Sequence, residues 1–469
     1  MPAHPRVLVA GSGVAALEAL LALHELAGPR VRLELMAPGT AMLLRPASVA
    51  EPFGLGGPPP VQLADIAAYC NAHHHSAILA EVRPGERRAV TGTGETIDYD
   101  HLVVAVGARA ADVLPGALPF GGPADVPGLE QVLDSAKRGE IRTLTFASPS
   151  AAGWSLPVYE LAMLAAADLR GRGARTEITI VTAEPAPLWV FGTPAGEAIR
   201  RLLEERDIRL VHGQPSGFAD GVLSMRGRAP VPADAVVALP PVQGPWIQGV
   251  PSDDRGFLPV DDHGRLPGVP GVWAAGDATA FPIKQGGLAC QQADAVAAGI
   301  AAELGANVAT PPFRPVLRGL LLTGGAPLYL RAEMDASGVL LGHRASRLKG
   351  EVSTRALWWP PGKVAGRYLA PYLATARPRA LGREPLADRA ASASVPAADA
   401  ADAVELALLL ADSDAQAGDY TQALHALDAA AALSGGVLPA EAARRRDTWR
   451  PRIAARPQPV PTHHHEEEP

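Results

Sequence analysis

Gly11-Ser12-Gly13-Val14-Ala15-Ala16 follows an apolar run and opens a segment rich in alanine and leucine. This is the G-x-G-x-x-A spacing of a dinucleotide-binding turn. Gly11 permits the tight reversal, Gly13 lets the backbone approach a pyrophosphate, and Ala16 allows close helix–strand packing. The helix start then directs its amides at the anion. A second stretch, residues 275–305, concentrates Gly276-Asp277, Lys284, Gly286-Gly287, Cys290 and Gln291-Gln292 ahead of an alanine-rich run. It offers a carboxylate that accepts hydroxyl protons, an ammonium, permissive backbone and a thiol. Near a helix start a thiol can be held as thiolate, but Cys290 reads as a small packing residue. One partner of the first motif is missing. Ala37 stands where an acid usually bonds a ribose, and Glu34 lies mid-strand.

The elements that must carry these residues follow from periodicity. Residues 6–13 read as a buried strand ending in glycines, 14–28 as a helix closed by Gly28, and 30–38 as the next strand. Residues 94–110 read as a hairpin arm leading into another buried strand. A second α/β unit begins at 141–150 and continues with helix 156–173, strand 176–184, helix 196–207 and strand 208–213. Shorter strands and an aromatic stretch occupy 311–380. A Pro/Ala/Arg linker over 376–398 leads to helices near 399–433 and 439–448, with a disordered end. Residues 417–433 look like half of a TPR-type hairpin, a single copy.

A net charge of −7 argues against a nucleic-acid binder, which needs a clustered basic surface. Cys70 and Cys290 are the only cysteines, too few for a disulfide framework or a zinc ribbon. The runs His73–His75 and His463–His465 are contiguous, so their side chains diverge and no metal site is expected. No leader and no spanning apolar segment is read from the chain, and the expected location is cytoplasmic.

Together, GSGVAA (11–16), DHLVVAVGA (100–108) and GVWAAGDATAFPIKQGGLACQQAD (271–294) make the chain resemble the flavoprotein pyridine nucleotide-disulfide oxidoreductase superfamily. RPASVAEPFG (45–54), LPVYELAML (156–164), VTAEPAPLWVFG (181–192) and LWWPPGKVAGRYLAPYL (357–373) are similar to its sulfide:quinone reductase and type II NADH dehydrogenase branch. The resemblance covers residues 5–375. It implies an α/β fold of two Rossmann-like three-layer domains, the second inserted in the first. An FAD-binding domain spans 1–140 and 255–310, and an NAD(P)-binding-like domain 141–254. A C-terminal cap takes 311–380, and a linker, helical tail and disordered end take 381–469.

The resemblance further implies that FAD is held by Gly11, Gly13, Val14, Ala15, Ala16, Arg45, Pro46, Ala105, Gly107, Gly276, Asp277, Lys284, Gly287 and Leu288. Asp277 would bond the ribityl or pyrophosphate part, and Lys284 would add charge beside the helix start. Glu160 is the family's candidate proton relay, while Gln291 and Gln292 resemble glutamines beside the flavin and quinone. Glu160, Lys284 and Gln292 are therefore the expected catalytic residues. The second unit departs from the pattern, reading Ser148-Pro149-Ser150-Ala151-Ala152-Gly153 with no G-x-G. Glu184 sits where a ribose-binding acid would, which keeps a weakened NAD(P)H site open. Sulfide chemistry needs two sulfurs within bonding distance, and this unit has no cysteine. The expected activity passes electrons from a small donor, NAD(P)H or sulfide-like, through FAD to a quinone-like or other small acceptor. The aromatic stretch 358–372 suits a quinone route or peripheral membrane contact, and core packing or a homodimer interface explains it equally well. A catalytically degenerate fold acting as an interaction module through its tail is the other reading.

Overall fold

The computed structural model describes residues 4–56, 59–111, 113–149, 154–335, 337–339 and 350–380, with 424, 427, 431, 438 and 440–454. The chain divides into two compact units, residues 1–357 with 361–370, and residues 358–360 with 371–469.

The first unit begins on strand Arg6–Ala10, whose Val7, Leu8, Val9 and Ala10 are fully buried. A strand with no polar face must be covered on both sides, the situation of a parallel sheet interior. The sheet it centres has the order Val272–Ala274, His101–Val104, Arg6–Ala10, Arg32–Met36, His73–His75, with every pairing parallel. Alternation along the pleat then separates the two faces. Leu8, Ala10, Leu102 and Val104 pack with Leu79, Val82 and Ala89 of an antiparallel meander. On the other side, helices Val14–Ala27 and Gly286–Glu303 pack against each other. Both are apolar nearly all round, as helices buried on two sides must be.

A second five-stranded parallel sheet takes all its strands from between His101–Val104 and Val272–Ala274. Its order is Leu118–Pro119, Ala235–Ala238, Thr143–Ser148, Glu177–Thr182, Ile208–His212. Leu144, Phe146, Ile178 and Ile180 face helices Val126–Lys137, Leu156–Gly171 and Thr193–Glu205. Ala147, Val181 and Val236 face a small antiparallel sheet carrying Leu223, Met225 and Val231. Each parallel sheet thus has helices on one face and antiparallel strands on the other, the three layers expected from the sequence. The strands Val316–Leu321, Leu328–Glu333 and Gly350–Ser353 form a further antiparallel sheet.

In the second unit, helix Ala440–Ala454 places Ala442 beside Leu427, with Leu424, Leu438 and Trp449 around them. Of the segment 417–433 read as TPR-type, only 424, 427 and 431 are among the described residues, and the end expected to be disordered lies outside them.

Candidate cofactor site

The site is built where the first sheet ends. Gly11 lies at φ +136°, and a Cβ there would sit 2.2 Å from the Ala105 carbonyl oxygen. Only glycine lets strand Arg6–Ala10 turn while Ala105 donates its amide to the Ala10 carbonyl. Gly13 is ordinary in conformation, but the space where its Cβ would project is open for 4 Å. Helix Val14–Ala27 starts there without a side-chain cap, so its first amides face that space unpaired. Gly107, at φ +77°, turns the chain away after the neighbouring strand.

Gly276 (φ +76°) brings the second stretch to the same place. A Cβ on it would lie 2.8 Å from the Ala15 Cβ and 3.3 Å from the Ala289 Cβ, so both helix starts touch this turn. Its amide donates to Gln292 Oε1 at 2.7 Å, and its carbonyl accepts from Thr279 Oγ1 at 2.9 Å. Gln285 caps helix Gly286–Glu303 by accepting from the Leu288 amide at 2.8 Å. That uses up the Leu288 donor and leaves Gly286 and Gly287 to offer theirs.

Asp277 stands within this ring of glycines and helix starts. Among the described residues no donor bonds its carboxylate. Burial pushes its carboxyl above the ordinary range, partly offset by Lys284 and then Arg45. Lys284 is its complement. Burial lowers the ammonium from 10.5 to about 8, against the pull of Asp277. Lys284 Nζ donates to the Thr279 carbonyl and lies 3.7 Å from the Phe257 ring centroid. A carboxylate without a donor, on a turn packed against two helix starts and in the same site as an open glycine surface, fits a ligand with phosphate and hydroxyl groups. Arg45 is exposed and begins the 3-10 helix Arg45–Phe53 with Pro46.

Other expected site residues are occupied elsewhere. Gln292 spends its carbonyl oxygen on Gly276, and its amide group reaches Thr279 Oγ1 at 3.3 Å. It shapes the turn from below. Gln291 likewise bonds Val316 in both directions and the Gly287 carbonyl. Glu160 is fully buried, ion-paired with Lys363, and accepts the Leu322 amide at 2.8 Å. Burial raises its carboxyl, and Lys363 partly offsets this. Glu184 is also turned inward, accepting from Tyr159 Oη at 2.8 Å, with Ser155, Thr182 and the Leu188 amide as further donors. A carboxylate so engaged has nothing left for a ribose. Residues 150–153, which replace the second glycine motif, lie outside the described residues.

Both thiols are held away from the thiolate form. Burial pushes Cys70 up to about 12, and burial with Glu18 and Asp294 beside it pushes Cys290 well up. Cys290→Ser is therefore expected to leave the rate of flavin reduction unchanged in stopped flow, whereas a reactive thiol would abolish it. Sequence reading overlooked Glu18, Asp294, Gln285 and Phe257. Glu18 carried the plainest signal, an acid enclosed by the apolar run of VAALEALLALHELA. The absent ribose acid of the first motif is not replaced by Glu34, which bonds His75 Nε2 at 2.8 Å and Arg32 at 3.1 Å.

Two parallel sheets, one inserted in the other, with a glycine turn and a half-buried Gly-Asp carboxylate at the first, define an FAD/NAD(P)-binding oxidoreductase fold. The sequence pattern of the pyridine nucleotide-disulphide oxidoreductases matches residues 5–295, and the chain belongs to that family. It is a flavin-dependent oxidoreductase whose cofactor is FAD. An NADH dehydrogenase-like protein of Mycobacterium tuberculosis is 27% identical over 295 residues, 59% of this chain and 73% of that protein. The ferredoxin reductase component of a chlorobenzene dioxygenase from a Cupriavidus species is 29% identical over 280 residues, covering 50% and 63%. Among solved structures, the sulfide:quinone oxidoreductase of Aquifex aeolicus superposes with a TM-score of 0.66 at 19% identity. That match covers 75% of this chain and 87% of the other. A ferredoxin reductase from Rhodopseudomonas palustris gives 0.57 at 19% identity, covering 71% and 83%. These likenesses concern the fold.

Proposed function

We propose that this protein accepts electrons as hydride from an organic or nicotinamide donor and passes them through FAD to a quinone-like or other small acceptor, with no thiol relay. The observation that carries the reading is Asp277, a half-buried carboxylate that meets no donor among the described residues, on the turn whose Gly276 packs against Ala15 and Ala289 at two helix starts. FAD supplies the two-electron chemistry when bound. Gly13 and the start of helix Val14–Ala27 would hold the pyrophosphate, and Asp277 would accept hydrogen bonds from the dinucleotide's hydroxyl groups. Lys284 and the amides of Gly286 and Gly287 place positive potential at one end of the site, which favours negative charge developing there. Gln292 and Thr279 keep the Gly276 turn rigid beneath it.

The absence of a thiolate favours hydride over sulfide as the input. Cys70 and Cys290 are both buried, and burial pushes both thiols up, away from the thiolate. Glu184, committed to Tyr159, makes any nicotinamide dinucleotide a loosely held donor. No helix among the described residues is long and apolar enough to cross a membrane. Stopped-flow mixing of the anaerobic oxidised protein with NADH, NADPH or sulfide tests the donor. Rapid bleaching by a hydride donor, with reoxidation by a water-soluble quinone, is expected. Bleaching by sulfide alone would refute the reading.

Lys284→Met is expected to make the bound flavin harder to reduce. A tenfold effect on the equilibrium corresponds to about 30 mV for a two-electron couple, and a shift on that order is the expected size. Because Lys284 titrates near 8, the wild-type potential should fall more steeply above that pH than the variant's. Potentiometric titration on both sides of pH 8 measures it.

A further inference from the structure

Glu18 is fully buried in the middle of an otherwise apolar helix. Its carboxyl hydrogen-bonds Asp294 of the facing helix, and Cys290 Sγ lies against it. Two acids at this depth carry a large desolvation cost unless backbone or charged groups answer them. The answer comes from far along the chain. The Tyr368 amide donates to Glu18 Oε1 at 2.8 Å and the Leu369 amide to Oε2 at 2.7 Å, with the Arg367 amide also directed at it. Arg367 and Arg318 place positive charge on Asp294. Gly366 passes so close that a Cβ would lie 2.4 Å from Glu18 Oε2 and 3.0 Å from Cys290 Sγ.

The segment held in this way continues to the start of helix Gly286–Glu303. Val364 Cγ2 lies 3.3 Å from where a Cβ on Gly286 would project, with Val14 Cγ2 at 3.6 Å from the same point. Val364 and Val14, the first residue of the other helix, therefore both pack at Gly286, where the second helix begins. Lys363, one residue earlier, ends in the ion pair with Glu160 of helix Leu156–Gly171. Residues 362–369 thus form a strap anchored at one end on Glu18 and at the other on Glu160, with Val364 between.

We propose that Glu18 is a positioning residue of the flavin site, latching the strap 362–369 across the two helix starts. The inference rests on the flavin reading above. Glu18 acts through the strap: its two oxygens fix the amides of Tyr368 and Leu369, and this seats Val364 against Gly286, beside Val14. Releasing the latch opens that wall and weakens FAD binding, which a purely structural tie elsewhere in the fold would not do.

The test compares wild type with Glu18→Ala, Glu18→Gln and Gly366→Ala. Hydrogen exchange at Tyr368 and Leu369 reads the latch without flavin, and quenching of FAD fluorescence reads affinity. Glu18→Ala should speed exchange at both amides about a hundredfold, as expected when a protected segment opens locally. It should weaken FAD binding about tenfold, the scale of one charge-assisted hydrogen bond transmitted through the wall. Gly366→Ala, which displaces the strap from its own side while leaving Glu18 intact, should reproduce both changes. Glu18→Gln should fall between, since one oxygen still accepts an amide while its NH2 group opposes the other. Fast exchange with wild-type FAD affinity in all variants would overturn the inference, as would unchanged exchange in Glu18→Ala. Wild-type protein that takes up no FAD would overturn the flavin reading itself, whatever the exchange shows.

Discussion

Asp277→Ala should give a folded protein that no longer retains FAD. The turn carrying Asp277 is held by others, with Gly276 bonded to Gln292 and Thr279 and packed on Ala15 and Ala289. Removing the half-buried carboxylate leaves that scaffold intact, so the apoprotein should still fold. What is lost is an acceptor for the dinucleotide's hydroxyl groups. A hydrogen bond to a charged group contributes about 1.5–3 kcal/mol, so the dissociation constant for FAD should rise roughly ten- to hundredfold. Asp277→Asn keeps a neutral acceptor and should lie between. Equilibrium dialysis of apoprotein against FAD measures the three constants. Equal affinity in all three would place the cofactor elsewhere.

Lys363→Met should be the most destabilising single change at the other end of the strap. Glu160 is buried, and apart from Lys363 its recorded hydrogen-bond partner is the Leu322 amide. Removing one partner of a buried ion pair typically costs about 3–5 kcal/mol, because the remaining charge is stranded. Urea unfolding at neutral pH should show a loss of that order, and Glu160→Gln combined with Lys363→Met should recover much of it. The pH dependence has a definite sign. Glu160's carboxyl is raised by burial above its ordinary 4.5, and without Lys363 it rises further. A group whose folded value is raised stabilises the fold while protonated and loses that contribution as pH increases through the folded value. The gap between variant and wild type should therefore narrow toward pH 4.5 and widen above it. A gap that widens on acidification would show that Lys363 does not compensate Glu160.

These two residues also show where the sequence was readable and where it was not. Strand Arg6–Ala10, the glycine turn and helix Val14–Ala27 follow from local rules: an apolar run, glycines with distinct steric tasks, and Gly28 closing the helix at φ +54°. Asp277 was legible for the same reason, since its neighbours in sequence build its surroundings. Helix Thr193–Glu205 begins three residues before residue 196, because Pro194 favours the first turn of a helix and its fixed φ starts one. Partnerships across long sequence distances were not readable. Glu160 meets Lys363 across 203 residues and Glu18 meets Tyr368 across 350, and no periodicity encodes such pairs. Glu184 illustrates the converse. Its position at the end of strand Glu177–Thr182 suggested a ribose contact, yet Tyr159 of the adjoining helix claims it at 2.8 Å.

The central claim is that Asp277 and the two helix starts hold FAD in a redox-active site, and one measurement addresses it directly. The purified protein, stripped of ligand and titrated with FAD, should develop a tightly bound yellow species whose visible bands vanish on anaerobic addition of a hydride donor and return with a soluble quinone. A colourless protein that takes up no FAD, or one whose bound flavin cannot be reduced by any hydride donor, would contradict it.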